Sequence, residues 1–99
     1  MHTVHIVLGK FDPAELEITS GDTVEFINDT RGVHTVTADP TLAKDPANVV
    51  LPAGAKVFHS GLIPPGEVFT HVFDVEGDYQ YVCLPHERMG MIAKIHVLP

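Results

Sequence analysis

The chain has 99 residues, 44% of them hydrophobic, with thirteen acidic side chains against six basic ones and a net charge of −7. That length makes one domain, 1–99, with room for a core but not for a core plus a large substrate pocket. The acidic balance argues against nucleic acid, which calls for a basic face, and no run approaches the roughly 18 apolar residues of a membrane insertion.

The predicted elements are strands. Val4, Ile6 and Leu8 alternate with His5 and Val7 until Gly9 ends the run. Leu16 and Ile18 alternate with acidic and hydroxyl residues up to Ser20-Gly21, and Val24 and Phe26 do so up to Asn28-Asp29. Val33 to Ala38 forms a further run, closed by Asp39-Pro40. Short alternating strands at this spacing, broken by turn residues, predict an all-β antiparallel sandwich or barrel. Residues 41–65 hold four prolines and two glycines and read as a long loop, with a helical turn near Leu42–Lys44 and a short strand near Lys56–His59. Strand order returns at Glu67: Phe69, His71 and Phe73 share a face, then Tyr79, Tyr81 and Cys83, then Met91, Ala93, Ile95 and Val97.

The chemistry concentrates in residues 81–91, Tyr-Val-Cys-Leu-Pro-His-Glu-Arg-Met-Gly-Met. Cys83 is the only cysteine, so no internal disulfide forms. With His86 and Met91 it spells C-x2-H-x4-M on a strand–loop–strand. Thiolate, imidazole and thioether are a soft set that suits copper, and a trigonal His2Cys site with a weak axial Met is an electron-transfer copper site. The second histidine is His34, on an inward face with Val36 and Ala38, its ring held in one tautomer by a hydrogen bond from the other nitrogen. Thr35 beside it is placed to stabilise the neighbouring loop or the cysteine sulfur through its N–H or hydroxyl. Met91 is favoured as axial over Met89, because it begins the inward face of the last strand and Gly90 frees the turn before it. Against this stand blander accounts. A lone buried Cys is usually a small core hydrophobe, structural zinc prefers four Cys or His ligands, and a Cys–His nucleophile needs a pocket. The combined pattern outweighs them. His71 reads as a hydrogen-bonded histidine at the core edge, and His59 and His96 as exposed.

These motifs resemble those of the cupredoxins, the type 1 blue copper proteins, in their plastocyanin and pseudoazurin branch. The resemblance runs through Phe11-Asp12-Pro13, Ser20-Gly21-Asp22, Gly32-Val33-His34, Gly77-Asp78-Tyr79 and the Cys83–Met91 loop. It implies an eight-stranded Greek-key sandwich and one copper per chain, cycling between Cu(I) and Cu(II) on His34, Cys83, His86 and Met91. It also implies an electron port at His86, rimmed by Leu84, Pro85 and Met89. Three positions depart from the branch: Thr35 stands where plastocyanins usually have Asn, Val82 where photosynthetic ones have Tyr, and no helical extension follows Pro99.

The function expected is a small soluble, monomeric electron carrier that docks transiently with a redox donor and acceptor, not an enzyme. A copper module for storage, delivery or sensing is the alternative, and a multicopper or nitrite-reducing enzyme the third. The start Met1-His2-Thr3-Val4 carries no basic segment followed by an apolar run, so no signal peptide is read. The chain is then cytosolic or a mature form. The resemblance points to the second, in a periplasm or thylakoid lumen after removal of a signal.

Overall fold

A computed structural model describes residues 1–99. The alternating runs form nine strands: β1 (His2–Val7), β2 (Lys10–Asp12), β3 (Glu15–Thr19), β4 (Asp22–Asn28), β5 (Thr37–Ala38), β6 (Phe58–His59), β7 (Val68–Phe73), β8 (Gly77–Val82) and β9 (Ile92–Leu98). They make a four-stranded sheet in the order β2-β1-β4-β7 and a five-stranded sheet in the order β3-β9-β8-β5-β6. The two sheets pack as an open Greek-key sandwich, not a closed barrel.

The sandwich departs from the sequence expectation in four places. There are nine strands instead of eight, because Leu8 and Gly9 (φ 76°) turn the chain so that Lys10 pairs back onto Val7. The sheets are not wholly antiparallel, since β1 runs parallel to β4 and β3 parallel to β9. The chain leaves the first sheet after β2, contributes β3 to the second, and returns as β4, so strands separated in sequence become neighbours. The Val33–Ala38 run keeps only Thr37 and Ala38 as strand, with His34 in an isolated bridge to Ile63. Side chains satisfy that backbone where a ladder does not: Val36 N donates to Ser60 Oγ at 2.8 Å. The helical turn lies at Pro46–Asn48, not at Leu42–Lys44. Asp45 caps it, accepting from Ala47 N at 3.0 Å, and Pro46 has no N–H to leave unsatisfied at the first position.

Alternation builds the core as expected. Val4, Ile6, Phe11, Val24 and Phe26 from one sheet meet Tyr79, Tyr81, Ile95 and Val97 from the other. Phe11 and Phe26 both pack edge-to-face on Tyr81, with ring centroids 4.8 and 5.5 Å away. Cys83 and Met91 belong to the same buried cluster. His71 is half-buried among phenylalanines, its ring 4.1 Å from that of Phe58, so stacking holds it in place of the hydrogen bond expected. Burial there pushes its pKa below the usual histidine value, partly offset by Asp74.

Gly77 opens β8 at φ 130°, and a Cβ there would lie 2.5 Å from Pro52 Cβ. Backbone strain and overlap combine, so Gly77→Ala should cost about 2–4 kcal/mol of unfolding free energy. Gly54→Ala, at positive φ but in open space, should cost about 1–2 kcal/mol. Denaturant unfolding of both variants checks this; equal losses would contradict the role given to Pro52.

Candidate metal centre

Two stretches far apart in sequence meet at one end of the sandwich. Cys83 directly follows β8 and is fully buried, continuing the inward face of Tyr79 and Tyr81. The next residues, Leu84–Met89, form a short 3-10 segment. Pro85 lies in its first turn, where a missing N–H costs nothing. Gly90 closes it at φ 83°, a left-handed conformation that glycine adopts without strain. This single turn brings His86 back over the sulfur: Cys83 Sγ lies 3.3 Å from His86 Nδ1. The segment leading into β5, which pairs with β8 through Thr37 and Val82, supplies His34, whose Nδ1 is 3.5 Å from the same sulfur.

The three donor atoms all lie within 4.8 Å of one another. A metal about 2.3 Å from sulfur and about 2.0 Å from each nitrogen, at tetrahedral angles, separates N from S by about 3.5 Å. The spacing present in the protein is therefore that of a ligand set around one ion. The donor chemistry agrees: soft sulfur with two imidazoles suits copper. Burial lowers the pKa of His34, and the neighbouring His86 ring lowers it further, which keeps a lone pair available. Burial pushes the Cys83 thiol up, against the N–H of Thr35 that lowers it, so the thiol keeps its proton until a metal displaces it.

Met91 is fully buried beside this set, whereas Met89 is 69% exposed. The Met91 backbone closes the loop: its N–H donates to His86 O at 3.3 Å, and its carbonyl accepts from Cys83 N at 3.1 Å. All four residues singled out from the sequence are thus brought together. Leu84 and His86 are half-buried, Pro85 and Met89 are exposed, and Leu8 and Val33 extend the same apolar rim.

Thr35 does both things expected of it. Its N–H donates to Cys83 Sγ at 3.5 Å, and its hydroxyl oxygen accepts from Leu84 N at 2.9 Å and from Thr37 Oγ1 at 2.9 Å. His34 differs from expectation. Its other ring nitrogen has no hydrogen-bond partner; Nε2 faces Gly32, where a Cβ would sit 3.7 Å away, on the concave surface that Val33, His86 and Met89 also line. Backbone pairing positions the residue instead, His34 N to Ile63 O at 3.3 Å and Ile63 N to His34 O at 2.7 Å.

Two supporting residues were missed in the sequence. Asn28 is fully buried and donates to Gly32 O and Ile63 O, both at 2.9 Å, while Thr30 N and hydroxyl bond its Oδ1. It shapes the turn that delivers His34. Its sequence signal, Asn-Asp after a strand, reads only as a turn. Glu87, inside the Cys83–Met91 loop, is 3% exposed. No pattern in the sequence announces its partners about 40 residues away.

A two-sheet sandwich with His34, Cys83, His86 and a buried thioether gathered at one end defines a cupredoxin with one type 1 copper centre. The chain belongs to the plastocyanin/azurin family of copper-binding proteins, whose profile matches residues 4–98. It is 34% identical over 87 residues to a chloroplastic plastocyanin from Tetradesmus obliquus, covering 88% of this chain and 57% of that one. It is 38% identical over 90 residues to a Synechococcus plastocyanin, covering 88% of this chain and 62% of that one. The chain thus spans less than two thirds of the length of these two relatives. Among solved structures, pseudoazurin from Methylobacterium extorquens AM1 superposes with a TM-score of 0.77 at 26% identity, covering 98% of this chain and 74% of that one.

Replacing Thr35 with Val keeps the shape and removes the acceptor for Leu84 N. A stranded N–H in this half-buried turn should cost about 1–3 kcal/mol in denaturant unfolding of the copper-free protein. Thr35→Ser, which keeps the oxygen, should stay within about 1 kcal/mol of the parent.

Proposed function

We propose that this chain is a soluble, single-domain carrier that passes one electron at a time between redox proteins. His34, Cys83, His86 and Met91 are the copper ligands in this reading, Met91 in the axial place. The observation that carries it is the asymmetry of the site: three donors are buried, and one, His86, reaches the surface within an apolar rim. Copper bound there supplies a Cu(I)/Cu(II) couple that accepts or releases one electron.

The residues of the chain make that exchange easy by not moving. Cys83 is fixed from the Thr35 side by an N–H to its sulfur and from the Met91 side by its own N–H donating to Met91 O. His34 is pinned by its bridge to Ile63. Packing around Cys83 and Met91, both fully buried, keeps water from the sulfurs. His86 presents its outer edge among Leu84, Pro85 and Met89, a surface that buries apolar area in a brief encounter without a large polar desolvation cost. Burial supports this choice between the two methionines: Met91 is 0% exposed and Met89 69%.

The partners in this reading are a donor and an acceptor protein that dock transiently on the His86 rim, with the carrier acting as a monomer. The compartment is a periplasm or thylakoid lumen, in keeping with a chloroplastic relative. Copper storage or delivery calls for an accessible site that releases its ion, and a fully buried Cys83 disfavours that reading. Catalysis calls for a substrate site, and no further His cluster accompanies the copper centre.

Substitution at the two methionines tests the ligand set. Met91→Gln should shift the visible spectrum of the Cu(II) protein and lower its reduction potential, whereas Met89→Gln should leave both near those of the parent. The reverse pattern would move the axial ligand to Met89.

A further inference from the structure

Glu87 is the only carboxylate buried in the protein, and no lysine or arginine is buried; it lies in the turn between Cys83 and Met91. Both carboxylate oxygens are engaged. Oε1 accepts from Lys44 N at 2.8 Å, and Oε2 accepts from Asp45 N at 3.0 Å and from Asn48 Nδ2 at 2.9 Å. In the opposite direction, Lys44 Nζ donates to Leu84 O at 2.7 Å. The far side of the 44–48 segment is tied to the sheet, since Gln80 Nε2 donates to Asn48 O at 2.8 Å and Val50 bridges to Gln80.

These contacts close a circuit. Strand β8 holds Gln80, Gln80 holds Asn48, and Asn48 with the two backbone N–H groups holds Glu87, four residues beyond the Cys83 that follows the same strand. The 3-10 segment Leu84–Met89 is short, and its own ladder fixes its rotation weakly. Successive side chains in such a turn point about 120° apart, so anchoring one sets the direction of the next. An anchor built of three donors on a single carboxylate is stronger and more directional than neutral hydrogen bonds.

We propose that Glu87 is a positioning residue of the metal centre: by latching Leu84–Met89 to the 44–48 segment it sets the rotation of the turn and aims His86 Nδ1 at Cys83 Sγ. The proposal rests on the reading of His86 as a copper ligand. Glu87 touches neither the donor atoms nor a partner surface; it acts through the backbone of the turn. The 44–48 loop thereby becomes part of the site, although none of its side chains lies among the donors.

Glu87→Gln tests this, because an amide –NH2 cannot accept and must face the Asn48 donor or a backbone N–H. In the copper-free variant, hydrogen exchange of the Lys44 and Asp45 amides should accelerate about ten- to a hundredfold, the weight of a hydrogen bond to a charged group. In the Cu(II) form, the visible band and the copper hyperfine splitting should both shift. The double variant Glu87→Gln/Asn48→Asp restores a donor–acceptor match at position 48 but leaves the Asp45 N–H facing the amide –NH2, so the visible band and hyperfine splitting should return part of the way toward the parent while Asp45 exchange stays fast. Faster amide exchange with an unchanged spectrum would overturn the proposal, leaving Glu87 as a loop tether. If Glu87→Gln does not fold, Asn48→Ala removes one of the three donors and should shift the spectrum in a smaller step; an unchanged spectrum there overturns it equally. An intense band in the parent separates this failure from that of the ligand reading, in which the parent itself would show none.

Discussion

The clasp between Thr35 and the Cys83-Leu84 peptide is the constraint on which the site depends. One residue, adjacent to His34, gives its N–H to the Cys83 sulfur and takes the Leu84 N–H on its hydroxyl. It joins segments 48 and 49 residues apart. The entropy of closing that loop is met by the sandwich itself, whose sheets already bring β5 beside β8 through the Thr37–Val82 pair. The donor atoms therefore meet without the metal having to gather them. A frame of this kind suits a one-electron couple, because ligands held in one geometry reorganise little when the charge changes.

The rest of the end cap follows the same division between an anchored inside and an open outside. Asn28 shapes the turn that delivers His34, the Met91 backbone closes the loop that delivers His86, and Glu87 ties that loop to a segment held by β8. None of these uses an exposed charged pair; the histidine–carboxylate contacts of His2, His5 and His96 lie on the surface, where such pairs contribute little to stability. On the outer side lie Pro85 and Met89, with Leu8 and Val33 beyond them. The net charge of −7 is no obstacle to docking there, since contact over an apolar rim is driven by area while charge governs steering.

The sequence made much of this legible, for a physical reason. Period-two alternation exposes which residues face inward, so Tyr81, Cys83, Met91 and Ala93 could be assigned to the core before any contact was known. Three soft donors within nine residues on a strand–loop–strand leave few alternatives for their chemistry. His34 shared an inward face with Val36 and Ala38, but His71 shared one with Phe69 and Phe73, so alternation alone did not single it out; the Gly32-Val33-His34 motif did. What stayed hidden depends on long-range backbone pairing. Nothing in Glu87 or Lys44 announces that a carboxylate will meet the N–H groups of a distant turn. The parallel pairs β1–β4 and β3–β9, the split of the first strand at Gly9, and the loss of regular strand around His34 all arise from crossings between the sheets. The expected hydrogen bond from His34 Nε2 failed because the ring edge meets the Gly32 backbone and an open concavity, while the main chain does the positioning.

In the proposed reading, a fixed ligand frame with one half-buried histidine, His86, exchanges single electrons through its apolar rim. Electron self-exchange between the Cu(I) and Cu(II) forms, read from NMR line broadening of mixed samples, tests it most directly. Exchange should be rapid, and should slow at least about tenfold when Leu84→Glu places like charges across the contact, with the visible spectrum unchanged. Slow exchange in the parent, or exchange indifferent to Leu84→Glu, would contradict it.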